Sequence, residues 1–311
     1  MSSTASENER VEVQPQQRQT HIPFAIFLMV ASGAVFSVSS AVSKWLVDTY
    51  PPGEILFTRT AIALICVSAF ILPTTGFAVY RTRRPLAHVL RGASQTTSQT
   101  LLLIAFSMMP LASATAINFS APLFATLASL VFLKEPVGMA RWFALVVGFI
   151  GVLIVTSPGA DTFQIGALFA LGNAVLFGTV TAGVRGMTAT ESTETLTMWQ
   201  LSVLSVTYGC MLLFGFRMPT WFDAGIMLLN GISIALGQYW WTRAIHLAPT
   251  SAIVPFQYLS LVWAMLFGFA LWGEVPTWSL IVGSMILVGS GLFLLWREAR
   301  RHKPIPQVAL R

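Results

Sequence analysis

A chain of 311 residues with 55% hydrophobic side chains, 10% charged ones and a strongly positive mean hydropathy is excluded from the ordinary soluble domains, where about a quarter of residues are charged. The net charge of +6 and pI near 9.8 come from arginines in short segments between apolar runs, which excludes a basic nucleic-acid-binding domain. Cys66 and Cys210 both lie inside apolar runs and read as small hydrophobes, not as a disulfide or a metal site.

Residues 1–23 are polar, rich in Gln and Ser, and hold no apolar core followed by a cleavage site, so a disordered tail without a cleaved signal is expected. A membrane span needs about 20 mostly apolar residues. Breaks at Pro, Gly and charged clusters then divide the chain into ten candidate spans: 24–43, 54–73, 88–108, 113–133, 140–156, 164–184, 196–216, 222–244, 251–271 and 278–296. Residues 297–311 form a basic tail.

Fourteen of the eighteen basic residues share one side if the N-terminus is inside: Arg10, Arg18, Arg81, Arg83, Arg84, Arg91, Lys134, Arg141, Arg185, Arg297, Arg300, Arg301, Lys303 and Arg311. The other side holds Lys44 and Arg217, while Arg59 and Arg243 fall within spans 2 and 8. Positive charge is retained on the cytoplasmic side, so both termini are expected there, in a multi-pass protein of the bacterial inner membrane.

The chain also contains itself twice. A shift of 139 positions lays Gly92 on Gly231, Ser94 on Ser233, Gln99 on Gln238, Ala105 on Ala244, Pro110 on Pro249 and Glu135 on Glu274. The same shift pairs Asn118 with Gln257 and Phe119 with Tyr258, and a shift of 140 pairs Glu54 with Glu194. Each copy has an odd number of spans, five, so two copies that fold alike must enter the membrane in opposite senses. Inverted repeats of this kind place a solute site near the bilayer midplane and work by alternating access. The expected fold is therefore an all-α membrane protein of ten transmembrane helices in two inverted five-helix repeats, 24–156 and 164–296.

With this repeat, Lys134-Glu135-Pro136 after span 4 and Gly273-Glu274-Val275-Pro276 after span 9, the chain resembles the EamA family of the drug/metabolite transporter superfamily. His88-Val-Leu-Arg91-Gly92 and Arg141-Trp142 look like the bacterial branch of riboflavin and S-adenosylmethionine uptake proteins. The resemblance implies ten helices and carriage of a small molecule, but brings no universal substrate motif.

Candidate site residues follow from the cost of polar groups in hydrocarbon, which must turn toward protein or an aqueous cavity. Span 3 carries an unbroken polar run, Ser94 to Thr100. Its hydroxyls can return to carbonyls one turn back, but Gln95 and Gln99, sharing a face at i,i+4, cannot be satisfied so locally. Gln99 has its mate Gln238, and Asn118 has Gln257, with Phe119, Tyr258 and Trp241 as flat apolar walls. Asn173 and the intramembrane Arg59 complete the expected substrate site, Arg59 in an anion-binding or gating role. Pro122 and Pro255 are expected hinges, since each removes a backbone donor. Arg243 lies nearer its span end, and Glu135 and Glu274 read as caps of the helices that follow them.

No cofactor or metal is expected: the histidines His21, His88, His246 and His302 lie in tails or at span ends, and no catalytic motif occurs in the sequence. The expected partners are a small-molecule substrate and the lipid bilayer, not nucleic acid, and a monomer and a homodimer are equally compatible. The leading expectation is a carrier of a riboflavin-like or nucleoside-like metabolite, ahead of an exporter of amino acids or amphiphilic metabolites. A membrane receptor or scaffold is a third class, one that would not require matched polar residues in both halves.

Overall fold

The computed structural model describes residues 21–133, 139–156, 161–187, 191–248 and 250–301. The structure is all-α. The first repeat contains α1 (Ile22–Val47), α2 (Pro52–Thr75), α3 (Pro85–Met108), α4 (Leu111–Asn118), α5 (Ala121–Leu133) and α6 (Met139–Thr156). The second contains α7 (Asp161–Met187), α8 (Thr193–Met211), α9 (Trp221–Leu247), α10 (Thr250–Ile253), α11 (Leu259–Trp272) and α12 (Trp278–Arg301).

Seven of the ten expected spans lie within single helices, 196–216 runs past the end of α8 into a 3-10 turn over Leu212–Phe214, and the two that break in mid-span are repeat mates. The expected 113–133 span is split into α4 and α5 at Phe119 and Ser120. The expected 251–271 span becomes α10, a 3-10 turn over Val254–Tyr258, and α11. Proline explains both breaks. Pro122 is the second residue of α5 and Pro255 the second of the 3-10 turn, positions where a missing N–H interrupts the preceding ladder and costs the new helix nothing.

Five stretches among the described residues are long and apolar enough to cross a membrane: Ile22–Val47, Pro52–Tyr80, Leu111–Ala128, Glu194–Phe214 and Pro255–Trp272. Shorter apolar helices cover Trp142–Thr156, Ile165–Val180 and Trp278–Leu294. Helix α3 is absent from this set despite its 24 residues, a length of about 36 Å. Its polar run lowers its hydropathy, and packing against α7 and α8 buries Gln95, Thr96 and Ser98 of that run, while Thr97 stays exposed.

Helix pairing follows a twofold pattern. α1 packs on α9 and α11, as α7 packs on α3 and α5; α2 packs on α9, as α8 packs on α3; and α2 with α8, and α6 with α12, pair as mates. Glycines permit the closest of these approaches. Gly92 of α3 lies against Val203 of α8, and its mate Gly231 of α9 lies against Ile62 of α2. Gly151 and Gly283 face each other between α6 and α12, where a Cβ on Gly151 would sit 2.9 Å from the Gly283 carbonyl. Such small-residue contacts replace the hydrophobic driving force that is missing inside a membrane.

One apolar cluster, including Leu46, Leu103, Ile117, Leu204, Leu261 and Leu280, draws on both repeats. Large apolar side chains also face outward, with Phe70 77% and Leu153 67% exposed, an arrangement suited to lipid and not to water. Some buried hydroxyls are satisfied within their own helix: Ser32 donates to Met29 O at 2.8 Å and Ser37 to Gly33 O at 2.9 Å.

Candidate substrate site between the two repeats

The polar run of α3 divides by partner. Thr96, Thr97 and Thr100 donate to carbonyls one turn back at 2.9, 3.1 and 2.9 Å, as expected of local helix bonding. Ser98 instead crosses to α7 and donates to Asn173 Oδ1 at 2.7 Å. Asn173, itself buried, donates through Nδ2 to Asn118 Oδ1 at 2.7 Å. A relay of three side chains thus joins α3 and α7 to the last residue of α4, at the edge of the break in span 4.

Immediately beyond the relay, Phe119 meets its own repeat mate, Tyr258, with ring centroids 5.0 Å apart and planes at 49°. Equivalent residues can touch only near the axis that relates them, so the pseudo-twofold passes between these rings. Both broken helices therefore converge on the centre of the molecule. The Tyr258 hydroxyl lies against Gly291 of α12, where any side chain would collide with it.

Arg59 of α2 donates through Nη2 to Gln99 Oε1. Gln99 adjoins Ser98, so one turn of α3 serves both the Arg59 contact and the relay. Gln95 is buried, while Gln238 and Gln257 are half-buried, and the side-chain amides of all three make no hydrogen bond with another described residue. None of these amides is sealed from solvent either. Trp241 is half-buried against Ala25, Leu28, Met29 and Ala244, and makes no ring contact with Phe119 or Tyr258 among the described residues. Arg243 is exposed on α9. Glu135 lies outside the described residues.

The two halves differ at this centre. The mates of Ser98, Asn173 and Asn118 are Gly237, Gly33 and Gln257. Ser98 and Asn118 of the first repeat close a relay with Asn173 of the second, whereas their mates are two glycines and an amide without a partner among the described residues. A Cβ on Gly237 would lie 2.7 Å from the Phe36 ring, so that space is taken by an aromatic edge.

Glu274 departs from the expected role as a cap of the helix after it. Its Oε2 accepts from the backbone N–H of Leu111 at 2.9 Å, so it caps α4 of the other repeat. The reason is local: Gly273, at φ +67°, reverses the chain after α11, and the Thr277 hydroxyl accepts from the Leu280 N–H at 3.2 Å, taking the capping role at α12. The Oε1 of Glu274 pairs with Lys44, whose Nζ also donates to Met109 O at 2.9 Å and lies 5.1 Å from the Trp272 ring centre.

Other inter-repeat contacts were not foreseen from the sequence. Glu54 Oε2 accepts from Arg217 N at 2.9 Å, and Tyr50 donates to Asp223 at 2.7 Å, which holds the Tyr50 phenol above its usual range. Asn230 bridges to Ser39 and Ser43 of α1, and Tyr208 donates to Thr96 O at 2.9 Å. Asn230 carried a readable signal, an amide in an apolar span. The hydroxyl partners carried none, because a serine in a membrane helix is usually satisfied by its own turn.

Two segments of the chain, 23–157 and 164–296, each match the EamA-like transporter family. The chain belongs to that family. EamA proteins similar to it include a riboflavin transporter of Rhizobium johnstonii, 30% identical over 88% of this chain and 92% of that protein. An S-adenosylmethionine uptake transporter of Rickettsia bellii is 26% identical over 85% of this chain and 90% of its own. A pseudopaline exporter of Pseudomonas aeruginosa is 26% identical over 85% and 93%. A crystal structure at 18% identity covers 90% of this chain and 99% of its own with a TM-score of 0.62, a likeness of fold alone. This EamA protein is thus a multi-pass membrane transporter of small molecules and not an enzyme. Among the described residues no group of three His, Cys, Asp or Glu side chains could hold a metal.

Proposed function

We propose that this EamA protein carries a small, polar, flat-ringed metabolite, riboflavin-like or nucleoside-like, across the bacterial inner membrane by alternating access. In this reading ten helices span the bilayer as two inverted five-helix repeats, with both termini in the cytoplasm. The observation that carries it is the convergence of the two broken helices at Phe119 and Tyr258. Discontinuous helices at a repeat interface are where transporters of this design bind their solutes. The substrate site comprises Gln95, Gln99, Asn118, Asn173, Gln238, Gln257 and Arg59, with Phe119, Tyr258 and Trp241 as apolar walls and Pro122 and Pro255 as hinges.

Open amides at Gln95, Gln238 and Gln257 can read the donors and acceptors of a heterocycle, while the rings stack on its face. The similarity to the Rhizobium johnstonii riboflavin transporter supports this choice. The similarity to the pseudopaline exporter supports a second reading, export of an amino-acid-like metabolite. Uptake and efflux of a metabolite panel in a transport-deficient bacterial host distinguish the two. Uptake of a flat heterocycle above the empty-vector rate is expected. Efflux of amino-acid conjugates alone favours the exporter, and rates at the control for every compound reject both.

A further inference from the structure

Among the described residues Arg59 is a cation without an anion. Its Nη2 is taken by the neutral Gln99, while its Nε is buried and has no hydrogen-bond partner. The ion pairs among the described residues, Lys44 with Glu274 and His88 with Glu191, leave no carboxylate within 4.0 Å of its guanidinium. Glu54, five residues earlier on α2, turns away to the backbone of Arg217. The nearby phenol of Tyr208 donates to the Thr96 carbonyl. In the other repeat the mate of Arg59 is Trp199, whose indole donates to Tyr80 O, so this charge is not part of the shared framework.

An intramembrane charge left unpaired is costly, and a buried guanidinium is normally matched by a carboxylate or phosphate. Arginine is suited to that match because its planar fork donates two parallel hydrogen bonds to two oxygens of one anionic group. Gln99 is followed on α3 by the turn that carries Ser98, which is joined through Asn173 to Asn118, the residue before Phe119 of the central ring pair.

We infer that the cargo of this protein bears an anionic group, a carboxylate or phosphate, which pairs with the Arg59 guanidinium while its ring lies toward Phe119 and Tyr258. The inference rests on the proposed site and narrows its substrate class from polar metabolites to organic anions. Gln99 holds the guanidinium in place, so it acts here as a positioning residue.

The test uses matched probes on the full-length protein in proteoliposomes: riboflavin against riboflavin 5′-phosphate, and S-adenosylmethionine against its decarboxylated form. The wild type is expected to favour the phosphate- or carboxylate-bearing member of at least one pair. Arg59→Met should cut transport of that phosphate- or carboxylate-bearing probe about 10- to 100-fold more than transport of the counterpart that lacks the group, the span of a charge-assisted hydrogen bond. Thermal unfolding in detergent gives an independent readout. Without ligand Arg59→Met should melt no lower than wild type, since it removes an uncompensated charge, and the anionic probe should no longer raise its melting temperature.

A lower melting temperature for unliganded Arg59→Met, or an anionic preference that survives it, overturns the inference. So does a wild type that ignores the charge of every probe. Asn118→Leu separates this from the site itself: loss of transport for all probes in that variant keeps the site while the anionic class falls. Wild-type transport in Asn118→Leu, together with an unchanged preference in Arg59→Met, removes both.

Discussion

Asn173 shows how much one side chain can organise. Its amide accepts from Ser98 and donates to Asn118, and it is nearly inaccessible, at 2% exposure. Replacing it by Leu keeps the volume but strips Asn118 of its partner and leaves Ser98 only the backbone carbonyl of residue 173, at 3.2 Å. Interhelical bonds of this kind average about 0.6 kcal/mol in membranes, so Asn173→Leu should cost about 1–2 kcal/mol, measured by unfolding of the solubilised protein. Transport should fall by more than that stability loss implies, because Asn118 is no longer held at the edge of the break. A variant with reduced stability but wild-type transport places Asn173 in packing alone. At this scale the amides were legible in the sequence as costly groups in an apolar setting. Their partners were not: nothing in the spacing of Ser98 distinguishes it from Thr96 or Thr97, which bond within their own helix.

The elements carry the message of the repeat. Prolines at 122 and 255 were readable as breaks, but their effect was not, because the same residue can bend a helix or start a new one. The structure has the second outcome in both halves, with Pro122 and Pro255 each near the start of the segment after the break. At the end of the bundle where α1 finishes, Glu274 ties α11 to α1 through Lys44 and to α4 through the Leu111 N–H. Lys44 and Glu274 side chains are only 11% and 18% exposed, so removing one partner strands a largely buried charge. Glu274→Gln and Lys44→Met should each destabilise by about 3–5 kcal/mol, while the double variant should lose less than their sum. Additive losses measured in unfolding experiments contradict this account of the pair. The sequence announced Glu274 through its mate Glu135, but the contact to α4 depends on the reversal at Gly273 and on Thr277 replacing it at α12.

For the whole molecule, the sequence self-match and the family resemblance led to the same two repeats that the twofold pattern of helix packing displays. Periodic apolar composition made the helices legible because each must bury or offer to lipid its entire length. The centre was less legible, since symmetry is broken there: the relay joins Ser98 and Asn118 of the first half to Asn173 of the second, while the mates of Ser98 and Asn173 are Gly237 and Gly33. In the proposed function, a shared scaffold with one polar relay and one open side offers a flat solute two unlike surfaces. The central claim is that this meeting place of the repeats binds the cargo. It is tested most directly by transport in proteoliposomes with Gln99, Asn118, Gln238 and Gln257 all replaced by Leu, at insertion and folding matched to wild type. The account predicts transport at the protein-free background; wild-type rates would contradict it.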